Sequence, residues 1–119
     1  MTDILHIKRV YDDPEFADGY RILIDRLWPR GINRPAIFFD EWMKDLAPST
    51  SLRKWFNHEP EKWPAFVWRY QQELHDNKAV AGLLKKIRTH NEVTLLYSAK
   101  DEKHNHAIVI KGFIEEMIN

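Results

Sequence analysis

Glu92-Val93-Thr94-Leu95-Leu96-Tyr97-Ser98-Ala99 reads as a strand buried on both faces. Its apolar run is continuous, whereas a half-solvated strand alternates apolar and polar residues. Upstream, Tyr20 to about Leu27 contains Ile22-Leu23-Ile24, apolar on both sides, and predicts an inner strand of a covered sheet. Ile4 to Val10 reads as a short strand with a basic end, Lys8-Arg9. Asp12-Asp13-Pro14 and Asp18-Gly19 are turn chemistry, so residues 11–19 form the connection between these two strands.

The segments between and after the strands are helical in pattern. Phe38, Phe39, Trp42, Met43 and Leu46 predict a helix over Ile37 to Leu46, after a loop at 29–36 that Pro29 and Gly31 open. Ser49 is placed to cap a short helix through Phe56. From Glu61 to about Asp76, Trp63, Phe66, Val67, Tyr70 and Leu74 fall on one helical stripe, and Pro64 sits harmlessly in the first turn. Val80, Leu83, Leu84 and Ile87 do the same from about Lys78 to Thr89, with Asn77 as a candidate cap. A closing helix presents Ile110, Phe113, Ile114 and Met117.

Strands separated by helices indicate an α/β fold: a small three-layer or two-layer domain whose short, at least partly parallel sheet is covered by about four to five helices. The 119 residues are expected to form one domain, spanning residues 1–119. Parallel pairing sends the loops after Leu27 and Ala99 out of the same sheet edge, where open α/β sheets bind ligands.

Lys plus Arg and Asp plus Glu are 18 each, so no whole-molecule field draws the chain to nucleic acid, and any such attraction must be local. Cysteine is absent, which excludes thiol nucleophiles, disulfides and thiolate metal sites. No apolar run approaches the roughly 20 residues of a membrane helix, and the N-terminus reads as no leader; the expectation is a cytoplasmic protein with no membrane partner.

Asp25-Arg26-Leu27-Trp28-Pro29-Arg30-Gly31 follows the second strand. Arg26 and Arg30, with Lys8, Arg9 and Lys100, form a candidate anion pocket walled by Trp28 and Tyr97, because forked guanidinium donors match phosphate and carboxylate. The competing reading pairs the arginines with Asp25, Asp40, Glu41 or Asp45 and makes them loop fasteners. Neighbouring arginines would lower the pKa of Asp25, so it is assigned to orienting Arg26 or Arg30 rather than to general base catalysis. Ser49, Thr50 and Arg53 offer a second helix-start anion site, against an ordinary N-cap at Ser49. Ser98, Lys100 and Asn105 face the same edge from the loop after the last strand, or form a polar turn capped by Asp101 or Asn105. Gly-rich phosphate fingerprints are missing. His104 and His106, with Asp101, Glu102 and distant His58, suggest a metal, but i, i+2 spacing on a helix points two imidazoles apart, and no metal site is assigned. Ser98 with either histidine suggests a nucleophile and base, without the Gly-x-Ser-x-Gly elbow.

Lys8-Arg9-Val10-Tyr11, Asp18-Gly19-Tyr20-Arg21, Asp25 to Gly31, Ala47-Pro48-Ser49 with Leu52-Arg53, and Thr94 to Ala99 with Asn105-His106-Ala107 together resemble the YeaO-like proteins of domain-of-unknown-function family 488. The resemblance runs nearly the whole chain and implies a compact α/β domain. It carries no established activity. It does make one shared site more plausible than three separate structural accidents, since its signature segments are the ones that the topology brings to one edge.

The reading is a small anion-binding protein for a phosphate compound or nucleotide, with no cofactor assigned and oligomeric state open. Lys8 or Arg9, Arg26, Arg30 and Arg53 hold the anion; Trp28 and Tyr97 wall it; Ser98 and Asn105 supply directed hydrogen bonds. The alternatives are an enzyme acting on such a metabolite in the same cleft, and an interaction module using Trp42, Trp55 or Trp68.

Overall fold

The structure, a computed structural model, describes residues 4–32 and 39–118. Strands β1 (Leu5–Arg9), β2 (Tyr20–Leu23), β3 (Glu41–Trp42) and β4 (Val93–Tyr97) form one sheet in the order β1-β4-β2-β3, with every pairing parallel. Every residue of β4 is buried, which its unbroken apolar run requires of a strand with neighbours on both sides. Leu95 stands opposite Ile7 of β1 and Ile22 of β2.

Helices α1 (Thr50–Phe56), α2 (Trp63–His75) and α3 (Ala79–Thr89) join β3 to β4, and α4 (His106–Ile118) closes the chain. Ser49 caps α1 by accepting from the Leu52 amide. Pro64 lies in the first turn of α2, where its missing N–H costs nothing. Asn77 Oδ1 accepts from the Ala79 amide at the start of α3, and Asn105 Oδ1 from the Ile108 amide at the start of α4.

The two sheet faces are covered differently. Leu5, Ile22, Ile24, Val93, Leu95 and Tyr97 pack into the main core with the buried faces of all four α-helices. On the other face Val10, Leu23 and Leu96 are covered by half-buried Trp28, Ile32, Phe39 and Trp42, none of them helical. Among the described residues this is a two-layer α/β arrangement whose second face is closed by loop residues and by Trp42 of β3.

One expected element is corrected. In place of a helix ending at Leu46, Glu41–Trp42 pairs with β2 and Lys44–Leu46 makes one 3-10 turn. Phe39 and Trp42 go to one sheet face and Leu46 to the other, so the segment's apolar residues never belonged to one helical stripe. Residues 33–38 of that predicted helix and loop lie outside the described residues. The second strand is also shorter than expected, ending at Leu23, although the Ile24 amide still donates to the Leu96 carbonyl.

Candidate functional site at the carboxyl edge of the sheet

All four strands point the same way, so the residues leaving β1, β2 and β4 meet at one edge. Asp25 leaves β2 and faces Ser98, which leaves β4. Its Oδ2 accepts from the Ser98 amide at 3.1 Å and from the Ser98 hydroxyl. His106, the first residue of α4, places Nε2 3.1 Å from the Ile24 carbonyl and 3.3 Å from Asp25 Oδ1. A carbonyl only accepts, so Nε2 carries the proton and the ring's lone pair is on Nδ1. Asp25 Oδ1 is enclosed and makes no hydrogen bond; His106 stands within ion-pair range of it but out of line.

Burial holds His106 below its ordinary value of 6.5, against the opposite pull of the Asp25 carboxylate and the Ile24 carbonyl. Tyr70 of α2, whose ring centroid is 6.3 Å from that of His106, donates to the Leu46 carbonyl. Its phenol is pushed well above 10, first by burial and then by the Glu73 charge.

Two arginines flank this cluster. Arg9, at the end of β1, donates Nε to the Ala99 carbonyl at 2.9 Å and Nη2 to the Ser98 carbonyl at 3.3 Å, and lies over the Tyr11 ring. Arg26 donates Nη2 to the Ala47 carbonyl at 3.2 Å and reaches the Pro48 carbonyl at 3.4 Å. Neither guanidinium has a carboxylate within 4.0 Å among the described residues. The edge therefore runs Arg9, Ser98, Asp25, Arg26, with α1 entering beside Arg26.

Several expected ligand groups serve the fold in this structure. Lys8 pairs with Glu15 at 2.8 Å and Asp18 at 3.2 Å on the loop-covered face. Its ammonium is desolvated, yet those two carboxylates raise its pKa above 10.5. The Trp28 indole donates to the Ile32 carbonyl and packs edge-on against Phe39 and Trp42, so it is not a wall of the Asp25 cluster. Tyr97 is buried in the main core. Ser49 gives its amide and hydroxyl to Glu73, and Asn105 caps α4. Arg30, Arg53 and Lys100 are exposed cations.

The role given to Asp25 differs from the expectation: its carboxylate accepts from Ser98 and lies 3.3 Å from His106, and no arginine comes within 4.0 Å of it among the described residues. Ser98 donates to Asp25 and not to a histidine, and no serine–histidine hydrogen bond occurs among the described residues. His104 bonds Asp101 and lies edge-on to Trp63, and no group of three or more metal-ligating side chains occurs among the described residues. Of the three tryptophans offered as contact residues, Trp42 and Trp55 are half-buried and Trp68 is 63% exposed. No helix among the described residues is long and apolar enough to cross a membrane.

The partnership of His106 with Asp25 escaped the sequence reading, although one signal for it was present. A buried asparagine cap followed at once by histidine, just after a central strand, sets that histidine over the strand ends.

Comparison with known proteins gives one family. A model described as DUF488-N3i, the inactive DUF488-N3 subclade, matches residues 4–119. The uncharacterised protein YeaO of Escherichia coli (strain K12) is 43% identical over 113 residues, 95% of this chain and 98% of that protein. The uncharacterised proteins Mb3100c of Mycobacterium bovis and Rv3073c of Mycobacterium tuberculosis are each 41% identical over 106 residues, 89% of both chains. No solved structure matches.

Proposed function

The chain belongs to the DUF488-N3i family, and on that premise we propose that it is a cytoplasmic, non-catalytic binding domain for a small anionic ligand, a phosphate compound or nucleotide, held at the carboxyl edge of the sheet. The observation that carries this reading is the state of Arg9 and Arg26. Both guanidinium groups are held in place by backbone carbonyls. Carbonyls orient a guanidinium without cancelling its charge, and in each case Nη1 makes no hydrogen bond among the described residues. An anion between them gains two fixed forks whose ordering cost is already met by the fold. Exposed Arg30, Arg53 and Lys100 add cations to the rim.

Binding is preferred to catalysis for two reasons. The family's description names an inactive subclade. In addition, the Ser98 hydroxyl is held by the Asp25 carboxylate and the His106 Nε2–H by the Ile24 carbonyl, so no histidine is aimed at the serine hydroxyl.

A thermal-shift screen of nucleotides, sugar phosphates, carboxylates and inorganic phosphate tests the reading. A ligand that binds only the folded state raises the unfolding temperature by mass action. The stabilising compounds are expected to be phosphorylated, and Arg9→Gln and Arg26→Gln to reduce affinity about tenfold each, the loss of one charge-assisted contact. Hits that bind both variants as tightly as wild type would refute the site.

A further inference from the structure

A broad concavity lies at the opposite edge of the sheet, where β2 and β4 begin. It encloses about 930 Å³ and is open to solvent; Phe16, Gly19, Tyr20, Asp40, His90 and Glu92 are among its lining residues. Phe16 is wholly exposed, although the turn that carries it is firmly held. The Asp18 side chain accepts from the Glu15 amide at 2.9 Å and binds Lys8 and Arg21, and its carbonyl accepts from the Thr94 hydroxyl at 2.7 Å. Gly19, at φ 67°, lies so close to the Glu92 backbone that a Cβ there would fall 2.2 Å from the Glu92 carbonyl oxygen. A fixed turn that presents a bare aromatic ring is how protein interfaces anchor a partner.

The opposite wall is aromatic and the rim is acidic. Tyr20 and His90 stack at 4.0 Å with 13° between their planes. Asp40 and Glu92 contribute carboxylates, Glu15 is paired with Lys8, and Arg21, the one lysine or arginine among the described lining residues, is bonded to buried Asp18. Glu92 Oε2 is enclosed without a hydrogen-bond partner, and Asp40 gives one carboxylate oxygen to the Arg21 amide at 2.8 Å. A planar cation complements such a surface, since guanidinium stacks on aromatic faces and pairs with carboxylate.

We propose that this concavity is a docking site for an arginine-bearing segment of a partner protein, whose guanidinium stacks on Phe16 and His90 and pairs with Asp40. It is independent of the site at the carboxyl edge.

Titration of nitrogen-15-labelled protein with the peptide acetyl-Ala-Arg-Leu-Arg-Ala-amide tests it. The expected result is saturable movement of the Phe16, Tyr20, His90 and Asn91 amide signals, weakened about tenfold in both Phe16→Ala and Asp40→Asn. Both positions are exposed, so folding should be retained, and unchanged amide spectra away from the concavity verify it. The same peptide with glutamate in place of arginine should move nothing. Equal response to both peptides, no movement at millimolar peptide, or unchanged affinity in Phe16→Ala would overturn the proposal. So would a wild-type dimer, seen by sedimentation, that Phe16→Ala dissolves, because the occupant would then be a second copy of the chain.

Discussion

Two clusters of charge lie on this sheet, and they are balanced in different ways. On the loop-covered face, Lys8, Asp18 and Arg21 meet as formal charges, with Arg21 2% exposed and Asp18 8% exposed. At the carboxyl edge, Arg9 and Arg26 are fixed by neutral carbonyls with no carboxylate within 4.0 Å among the described residues, and Asp25 is occupied by Ser98. The first cluster is satisfied within the fold and has nothing left to offer. The second has its geometry set by neutral groups, which is the basis of the proposed anion site. The difference teaches that an arginine's identity says less about its role than what holds it.

If the first cluster is structural, breaking it should have the largest effect. Asp18→Ala removes the carboxylate that binds both buried Arg21 and Lys8, and a cost of about 3–5 kcal/mol is expected in urea unfolding. Burial alone would raise the Asp18 carboxyl, but the Glu15 amide, Lys8 and Arg21 together hold it below 3.8. Its stabilisation is therefore present above about pH 3.8 and is lost as pH falls through the folded-state value. Gly19→Ala, in the same turn, should cost on the order of 2–4 kcal/mol, combining left-handed backbone strain with the clash on Glu92.

The carboxyl edge should be softer to substitution. Ser49→Ala removes the α1 cap and a partner of Glu73, with an expected loss of about 1 kcal/mol. His106 provides the smallest and most diagnostic effect. Its folded-state pKa lies below 6.5, so the unfolded chain takes up the proton first as pH falls. The contribution of neutral His106 is complete above about pH 6.5 and declines as pH falls towards the folded-state value. Between about pH 7.5 and about pH 5.5, wild type should lose more unfolding free energy than His106→Asn. An equal loss would mean that the burial of this ring is not felt at equilibrium.

Much of the fold was legible because its signals are local. The unbroken apolar run of β4 and the stripes of α2 and α3 each follow from one period of burial. Strand β3 was not legible, since two residues, Glu41 and Trp42, become a strand only by pairing with Ile22 and Leu23. Asp25, Arg26 and Ser98 do share one sheet edge, because parallel topology fixes which loops meet. Their partners were not found. The sequence reading offered the arginines an anion or a neighbouring carboxylate, whereas the 3-10 turn at Lys44–Leu46 is followed by the Ala47 and Pro48 carbonyls that Arg26 takes instead. His106 reaches Asp25 only through the docking of α4 over the end of β2, a long-range event that no spacing encodes.

The contrast between the two clusters can be measured in one titration, following the guanidinium Nε–H signals of Arg9, Arg26 and Arg21 as inorganic pyrophosphate is added. The account predicts saturable movement of the Arg9 and Arg26 signals while that of Arg21 stays fixed. Immobile Arg9 and Arg26 signals, or an Arg21 signal that moves equally, would contradict it.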